Sequence, residues 1–185
     1  MKEETTYADA NAPLIKAARK GKNDAFKQLY DLYSDAMFTI CLRMLNNKED
    51  AEDVLQESFI SAFKNLQQYS AKASFGSWLK RIVINACIAV IKKRNDHLIP
   101  LEEKDLPEEP MQEDEEITYD IETIKLAIRE LADGYRVILS LYLFEEQSHK
   151  MIAEKLNISE GTSKSQYSRA RKRLIELIQL KSKKS

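Results

Sequence analysis

Between Asp96 and Glu116 the chain places Pro100, Pro107 and Pro110 among ten acidic side chains and a single basic one. No other feature limits its possible folds so sharply. Proline removes a backbone donor and blocks helix continuation, while like charges repel, so such a segment is expected to be extended and flexible. A single hydrophobic core cannot be threaded through it. Residues 1–95 and 119–185 therefore read as two small domains joined by an acidic linker, residues 96–118.

The same segment conceals the charge of its neighbours. Residues 1–95 carry 15 basic and 11 acidic side chains, the linker one and ten, and residues 119–185 carry 13 and nine, giving +4, −9 and +4 within an overall −1. Two mildly basic blocks suit an anionic partner, whereas charge alone says nothing about fold. With 43% apolar and 32% charged residues the composition is that of a globular chain, and only four glycines and four prolines favour helices. The longest apolar run, Ile82 to Ile91, is ten residues including Asn85, about half of what a spanning helix needs. Met1 is followed by Lys2, Glu3 and Glu4 with no apolar stretch behind them, so neither a signal peptide nor membrane insertion is expected, and the protein is expected to stay in the cytoplasm. Cys41 and Cys87 each lie within an apolar helical pattern and have no histidine at ligand spacing, so both read as reduced core cysteines. No metal and no cofactor is expected.

Periodicity then assigns an all-α fold. In the first block Asn11 is placed to cap a short helix holding Leu14, Ile15 and Ala18, with Gly21 as its stop. Phe26, Leu29, Tyr30, Tyr33, Met37, Ile40, Cys41 and Met44 recur at three- and four-residue steps, up to a break at Asn46-Asn47. Asn47 and Asp50 resemble a capping pair for a third helix, whose stripe is Ala51, Val54, Leu55, Phe59, Ala62, Phe63 and Leu66. Ser74 caps a fourth, striped by Phe75, Trp78, Leu79, Ile82, Ala86 and Val90. In the second block Ile117, Ile121, Ile124, Ile128 and Leu131 form a stripe that Gly134 is expected to stop, and Val137, Ile138, Leu141 and Phe144 form the next. Ser148 to Leu156 and Ser159 to about Leu180 follow as two helices with a tight joint, Asn157 supplying the left-handed residue and Ser159 the cap. Helix, short turn and basic second helix make a helix-turn-helix.

Three constellations carry chemistry. In the last helix Lys164, Arg169, Arg171, Lys172 and Arg173 face no acidic residue over ten positions. The start of such a helix reaches base edges in the major groove, which designates Glu160, Thr162, Ser163, Lys164, Gln166 and Tyr167, with the arginines downstream suited to phosphates. A solvated basic surface would share the composition, but not the preceding turn. Second, Asp53, Gln56 and Glu57 lie on one helix face that the aliphatic Ile60 extends by a turn, which suits a protein interface; an ordinary wet acidic face is the bland alternative. Third, Tyr69, Lys72, Ser74, Phe75, Trp78, Lys80 and Arg81 alternate rings with cations. Rings stack on unpaired bases and cations follow the backbone of single-stranded nucleic acid, although Phe75 and Trp78 also suit the core.

With these residues in place the chain resembles the extracytoplasmic-function (ECF) sigma factors of bacterial RNA polymerase. Asp50-Ala51-Glu52-Asp53-Val54-Leu55-Gln56-Glu57-Ser58-Phe59 looks like the family's core-polymerase-binding helix. Phe75, Trp78-Leu79, Ile82, Asn85 and Lys92-Lys93-Arg94 resemble its promoter-melting helix, and Glu160 to Ser165 with Arg169-Ala170-Arg171 and Leu174 its upstream recognition helix. Met151, Asn157, Ser163 and Ala89 stand where the family usually has Glu, Gly, Val and Asp. The resemblance implies a non-catalytic subunit that directs core polymerase to promoters. Asp53, Gln56, Glu57 and Ile60 would meet the clamp helices of the largest subunit, with a further contact to the polymerase flap. Tyr69 to Arg81, with Asn85, Lys92, Lys93 and Arg94, would take the downstream element as a single strand. An anti-sigma factor is the implied regulator. The principal rival is a stand-alone helix-turn-helix regulator, which leaves the interface face of the first domain idle. A purely protein-binding adaptor would show no salt-dependent affinity for DNA. An enzyme is disfavoured, because His97 and His149 lack partners for acid–base or metal work.

Overall fold

A computed structural model of the chain describes residues 9–94 and 120–182. The linker, His97 and Ile117 lie outside these residues. All regular structure among the described residues is helical. They divide into two compact units, one reaching Val90 and the other starting at Ile91, inside the fourth helix.

The front unit begins with α1, Ala12–Arg19, followed by α2, Asn23–Leu45, and α3, Lys48–Lys64. Asn46 turns the chain in the left-handed conformation at φ 52°, and Asn47 caps α3 by accepting from the Asp50 N–H at 3.0 Å. That is the capping pair read from the sequence. Asn11, in contrast, does not cap α1: its Nδ2 donates to the Tyr33 hydroxyl at 2.9 Å and ties α1 to α2. Phe26 packs on Phe63 with ring centres 4.8 Å apart, and Tyr30 on Phe59 at 4.7 Å. Leu29, Met44, Leu45, Cys41, Ala51 and Ala62 fill the space between these helices. A single 3-10 turn, Leu66–Gln68, leads to a loop and to α4, Phe75–Arg94. Both cysteines are buried and reduced.

The back unit holds α5, Ile121–Glu130, α6, Asp133–Leu139, one π turn, Ser140–Phe144, then α7, His149–Leu156, and α8, Glu160–Ser182. Ala127, Leu131, Leu139, Ala170, Leu177 and Ile178 make a core into which Ile124, Tyr135, Tyr167 and Leu174 lean. Gly134 does not stop α5. The helix ends at Glu130, where Leu131 caps it with an extended backbone at φ −67° and ψ 145°, and Gly134 lies in the first turn of α6. A negative φ needs no glycine, and the terminus is satisfied otherwise. The buried Arg136 pairs with Asp133 and donates to the carbonyls of Leu131 and Arg129. A cation on the last carbonyls of a helix also meets its negative dipole end.

Candidate nucleic-acid and protein interfaces

The candidate recognition surface on α7 and α8 is built by two caps. Asn157, at φ 60°, reverses the chain after α7, and Ser159 then accepts from the Thr162 N–H at 2.9 Å to start α8. Ser148 does the same for α7 through the Met151 N–H at 3.3 Å. The turn is three residues long, and short capping side chains make it that tight. Of the residues read as base- or phosphate-directed, Glu160, Lys164, Lys172 and Arg173 are exposed, while Thr162, Tyr167, Arg169 and Arg171 are half-buried. Lys164 Nζ lies 3.0 Å from Glu160 Oε1 one turn before it, and Arg173 pairs with Glu176 at 2.9 Å.

Two expected contacts face inward. Ser163 is fully buried and Gln166 is 5% exposed. Ser163 Oγ lies 3.0 Å from His149 Nδ1. The His149 ring stacks on Tyr142 at 4.6 Å, and Tyr142 lies 4.4 Å from Tyr167. This bracket supports the start of α8, with Ser163 seated against His149 of α7 and Gln166 turned inward. Burial lowers the His149 pKa, with Lys164 lowering it further and Glu160 opposing. Tyr142 escaped sequence reading because the π turn that aims it leaves no periodic trace.

On α3, Asp53, Gln56, Glu57 and Ile60 all point to solvent, Ile60 at 53% exposure, while Ala51, Val54, Leu55, Phe59 and Ala62 are buried on the other side. Beside Gln56 an open groove of about 460 Å³ runs between α2 and α3, lined by Tyr30, Ser34, Asp35, Phe38, Glu52 and Leu55. On the α2 wall the sequence pattern marks Tyr30 as part of the apolar stripe, but not Ser34, Asp35 or Phe38.

The third region divides differently from its expectation. Tyr69 and Phe75, read as stacking rings, are core: they are 5% and 0% exposed and meet edge to face at 5.8 Å. Trp78 closes the cluster, 5.4 Å from Tyr69 and 5.6 Å from Phe75, and stays half-buried. Three rings so close gain more from one another than an exposed ring would in water. Ser74 Oγ caps α4 through the Ser77 N–H at 3.1 Å. What reaches solvent is the loop tip, Ser70, Lys72 and Ala73, together with Arg81, Asn85, Lys92, Lys93 and Arg94; Lys80 is half-buried. Ala71 in that tip has φ 55°, a conformation that is strained by about 1–2 kcal/mol for any residue with a Cβ.

Two family descriptions match the chain: Sigma-70 region 2 over residues 29–96 and Sigma-70, region 4 over residues 121–174. The chain is 34% identical over 172 residues to the ECF RNA polymerase sigma factor SigW of Bacillus subtilis (strain 168), covering 86% of this chain and 92% of the relative. It is 31% identical over 153 residues to the ECF sigma factor SigM of the same organism, covering 80% and 91%. The sigma factor RpoE of Bartonella quintana, crystallised with the anti-sigma factor NepR, superposes with a TM-score of 0.55 at 23% identity, over 83% of this chain and 96% of that one. CnrH, solved in complex with the cytosolic domain of CnrY, gives 0.55 at 21% identity, over 93% and 99%. At such identities the structural likeness speaks for the fold.

Proposed function

The chain belongs to the ECF RNA polymerase sigma factors, and from that premise we propose how its surfaces share the work of initiation. It is an alternative sigma factor, a non-catalytic subunit that directs core RNA polymerase to promoters. The front domain, residues 1–95, holds polymerase and opens the downstream element. Residues 119–185 hold the upstream element, and the acidic stretch 96–118 joins them. The observation that carries the division is the α3 face, where an exposed aliphatic residue extends a row of polar ones with a groove alongside. Asp53, Gln56, Glu57 and Ile60 dock on the clamp helices of the largest subunit, and the second domain meets the flap.

On DNA, the start of α8 enters the major groove with Glu160, Thr162 and Lys164 toward base edges, while Arg169, Arg171, Lys172 and Arg173 follow phosphates. Ser163, Gln166 and Tyr167 hold the helix for that contact. In the front domain the loop tip, Ser70 to Ala73, takes a flipped base. Trp78, Lys80, Arg81, Asn85 and Lys92 to Arg94 follow the separated strand, and Tyr69, Ser74 and Phe75 keep the loop in shape. Extruding a base costs a few kcal/mol, which these contacts offset. The protein works in the cytoplasm, and no described helix is long and apolar enough to cross a membrane. An anti-sigma factor is its expected regulator, as one accompanies the Bartonella relative.

Reconstitution with core polymerase tests this. Gln56→Ala with Glu57→Lys is expected to abolish complex formation while leaving the helical fold intact by circular dichroism. A parent chain that bound duplex DNA but never polymerase would instead be a stand-alone regulator.

A further inference from the structure

The 69–75 loop is held at both ends by one helix outside it. Asp9 is fixed at the head of α1, its carbonyl accepting from the Ala12 N–H at 2.9 Å and its Oδ1 from the Asn11 N–H at 2.9 Å. Its other oxygen, Oδ2, leaves α1 altogether. It accepts from the Phe75 N–H at 2.6 Å, the first amide of α4, and lies 3.2 Å from the Tyr69 hydroxyl. That hydroxyl has one proton and two acceptors in reach, the second being the Ala73 carbonyl at 2.7 Å. A carboxylate on the first amide of a helix also meets the positive end of the dipole. The buried phenol feels it: burial first, and then the Asp9 charge, push the Tyr69 pKa up to about 12.

The other end of α1 grips where the loop begins. Arg19 donates through Nε to the Leu66 carbonyl at 3.2 Å and through Nη2 to the Tyr69 carbonyl, with its guanidinium 5.8 Å from the Tyr69 ring centre. Gln67 returns a bond from Nε2 to the Arg19 carbonyl at 3.0 Å. Between the two grips the tip is exposed, and Ala71 is kept at φ 55°. A non-glycine residue persists there only when its surroundings over-determine it, and such strain gathers at ligand clamps. Ile15 and Ala18, buried, seat α1 on the unit, so both grips move as one piece.

We propose that Asp9 and Arg19 are positioning residues that set the shape of the 70–73 tip for capture of an unpaired promoter base, making α1 a clamp on base recognition. This rests on the capture reading given above. Neither side chain need touch DNA. Removing either would free one end of the loop, relax Ala71 and blur which base fits, while the polymerase face on α3 stays as it is.

The experiment uses holoenzyme reconstituted from core polymerase and the full chain, challenged with single-stranded DNA oligonucleotides randomised across the downstream element. The parent is expected to enrich one base at one position. Asp9→Ala and Arg19→Ala should each reduce that enrichment by about fivefold or more at unchanged polymerase affinity. Asp9→Glu, which keeps the carboxylate, should restore part of it. Ser70→Ala with Lys72→Ala alters the tip directly and serves as the control. If the tip variant loses the preference while both clamp variants keep the parental one, the clamp is overturned and base capture stands. If the tip variant keeps it as well, base capture is overturned and the clamp with it. Polymerase affinity reports folding of the front unit. Should Asp9→Ala lose it, Arg19→Gln at the exposed end of α1 decides.

Discussion

His149 gives the back unit a pH dependence that can be worked out in sign. Its folded pKa lies below the ordinary 6.5, because burial and Lys164 disfavour the charged ring. The unfolded chain therefore takes up a proton at higher pH than the folded one. The stabilisation is complete above about pH 6.5 and is lost as pH falls from there toward the folded value. Urea unfolding should show stability declining as pH falls below about 6.5, and His149→Gln should flatten that decline; an unchanged slope would remove the assignment. Gly76 offers a second test, in which two effects oppose. Glycine to alanine inside a helix ordinarily stabilises by about 1 kcal/mol. Here a Cβ would stand 2.9 Å from Tyr33 Cε1, and that ring is held by Asn11 and by Phe75, 5.3 Å away. Overpacking of this kind costs about 1–3 kcal/mol, so Gly76→Ala should lower stability in thermal unfolding.

At the scale of elements, the caps decide where the proposed reading surface stands. Ser159→Ala removes the acceptor for the Thr162 N–H and should cost about 1 kcal/mol of stability. It should also weaken upstream-element binding in a gel-shift assay by fraying the turn that carries Glu160 and Lys164. Intact DNA affinity at reduced stability would separate the cap from the reading surface. These elements were legible because local chemistry makes them: Asn47, Ser74, Ser148 and Ser159 all cap as their side chains dictate, and Asn157 turns left-handed. Where tertiary contacts decide, the sequence reading failed. Gly134 looked like a stop, but the α5 terminus is settled by Arg136, which reaches back to the Leu131 carbonyl from the next helix. Asn11 looked like a cap, but the Tyr33 hydroxyl claims its side chain from 22 residues away. The site divides along the same line. Exposed charges such as Lys164 and Arg81 could be named from pattern, whereas burial of Ser163, Gln166 and Tyr69 depends on partners that periodicity does not show.

For the molecule as a whole, the balance of charge sets how binding responds to salt. Both flanking blocks are net positive by four, and the acid lies between them. Phosphate contacts release counterions, so the logarithm of affinity falls with the logarithm of salt by about 0.9 per duplex phosphate neutralised. Arg173 and Lys172 lie on the exposed side of α8, beyond the turn that would meet base edges. Replacing Arg173 with Ala should therefore weaken holoenzyme binding evenly across promoter sequences and reduce the salt slope by about one. Lys164, in the first turns of α8, should behave otherwise. Its alanine variant should lose about 1–3 kcal/mol on the preferred upstream element and much less on a scrambled one. The Lys164–Glu160 pair sharpens the contrast, because an exposed ion pair contributes little to stability. The loss on DNA would then reflect the contact made there rather than a weakened helix. Fluorescence anisotropy over a salt series, on matched and scrambled duplexes, reads both quantities at once. Equal losses on the two sequences would move Lys164 to the phosphate-binding group and leave base reading to Glu160 and Thr162.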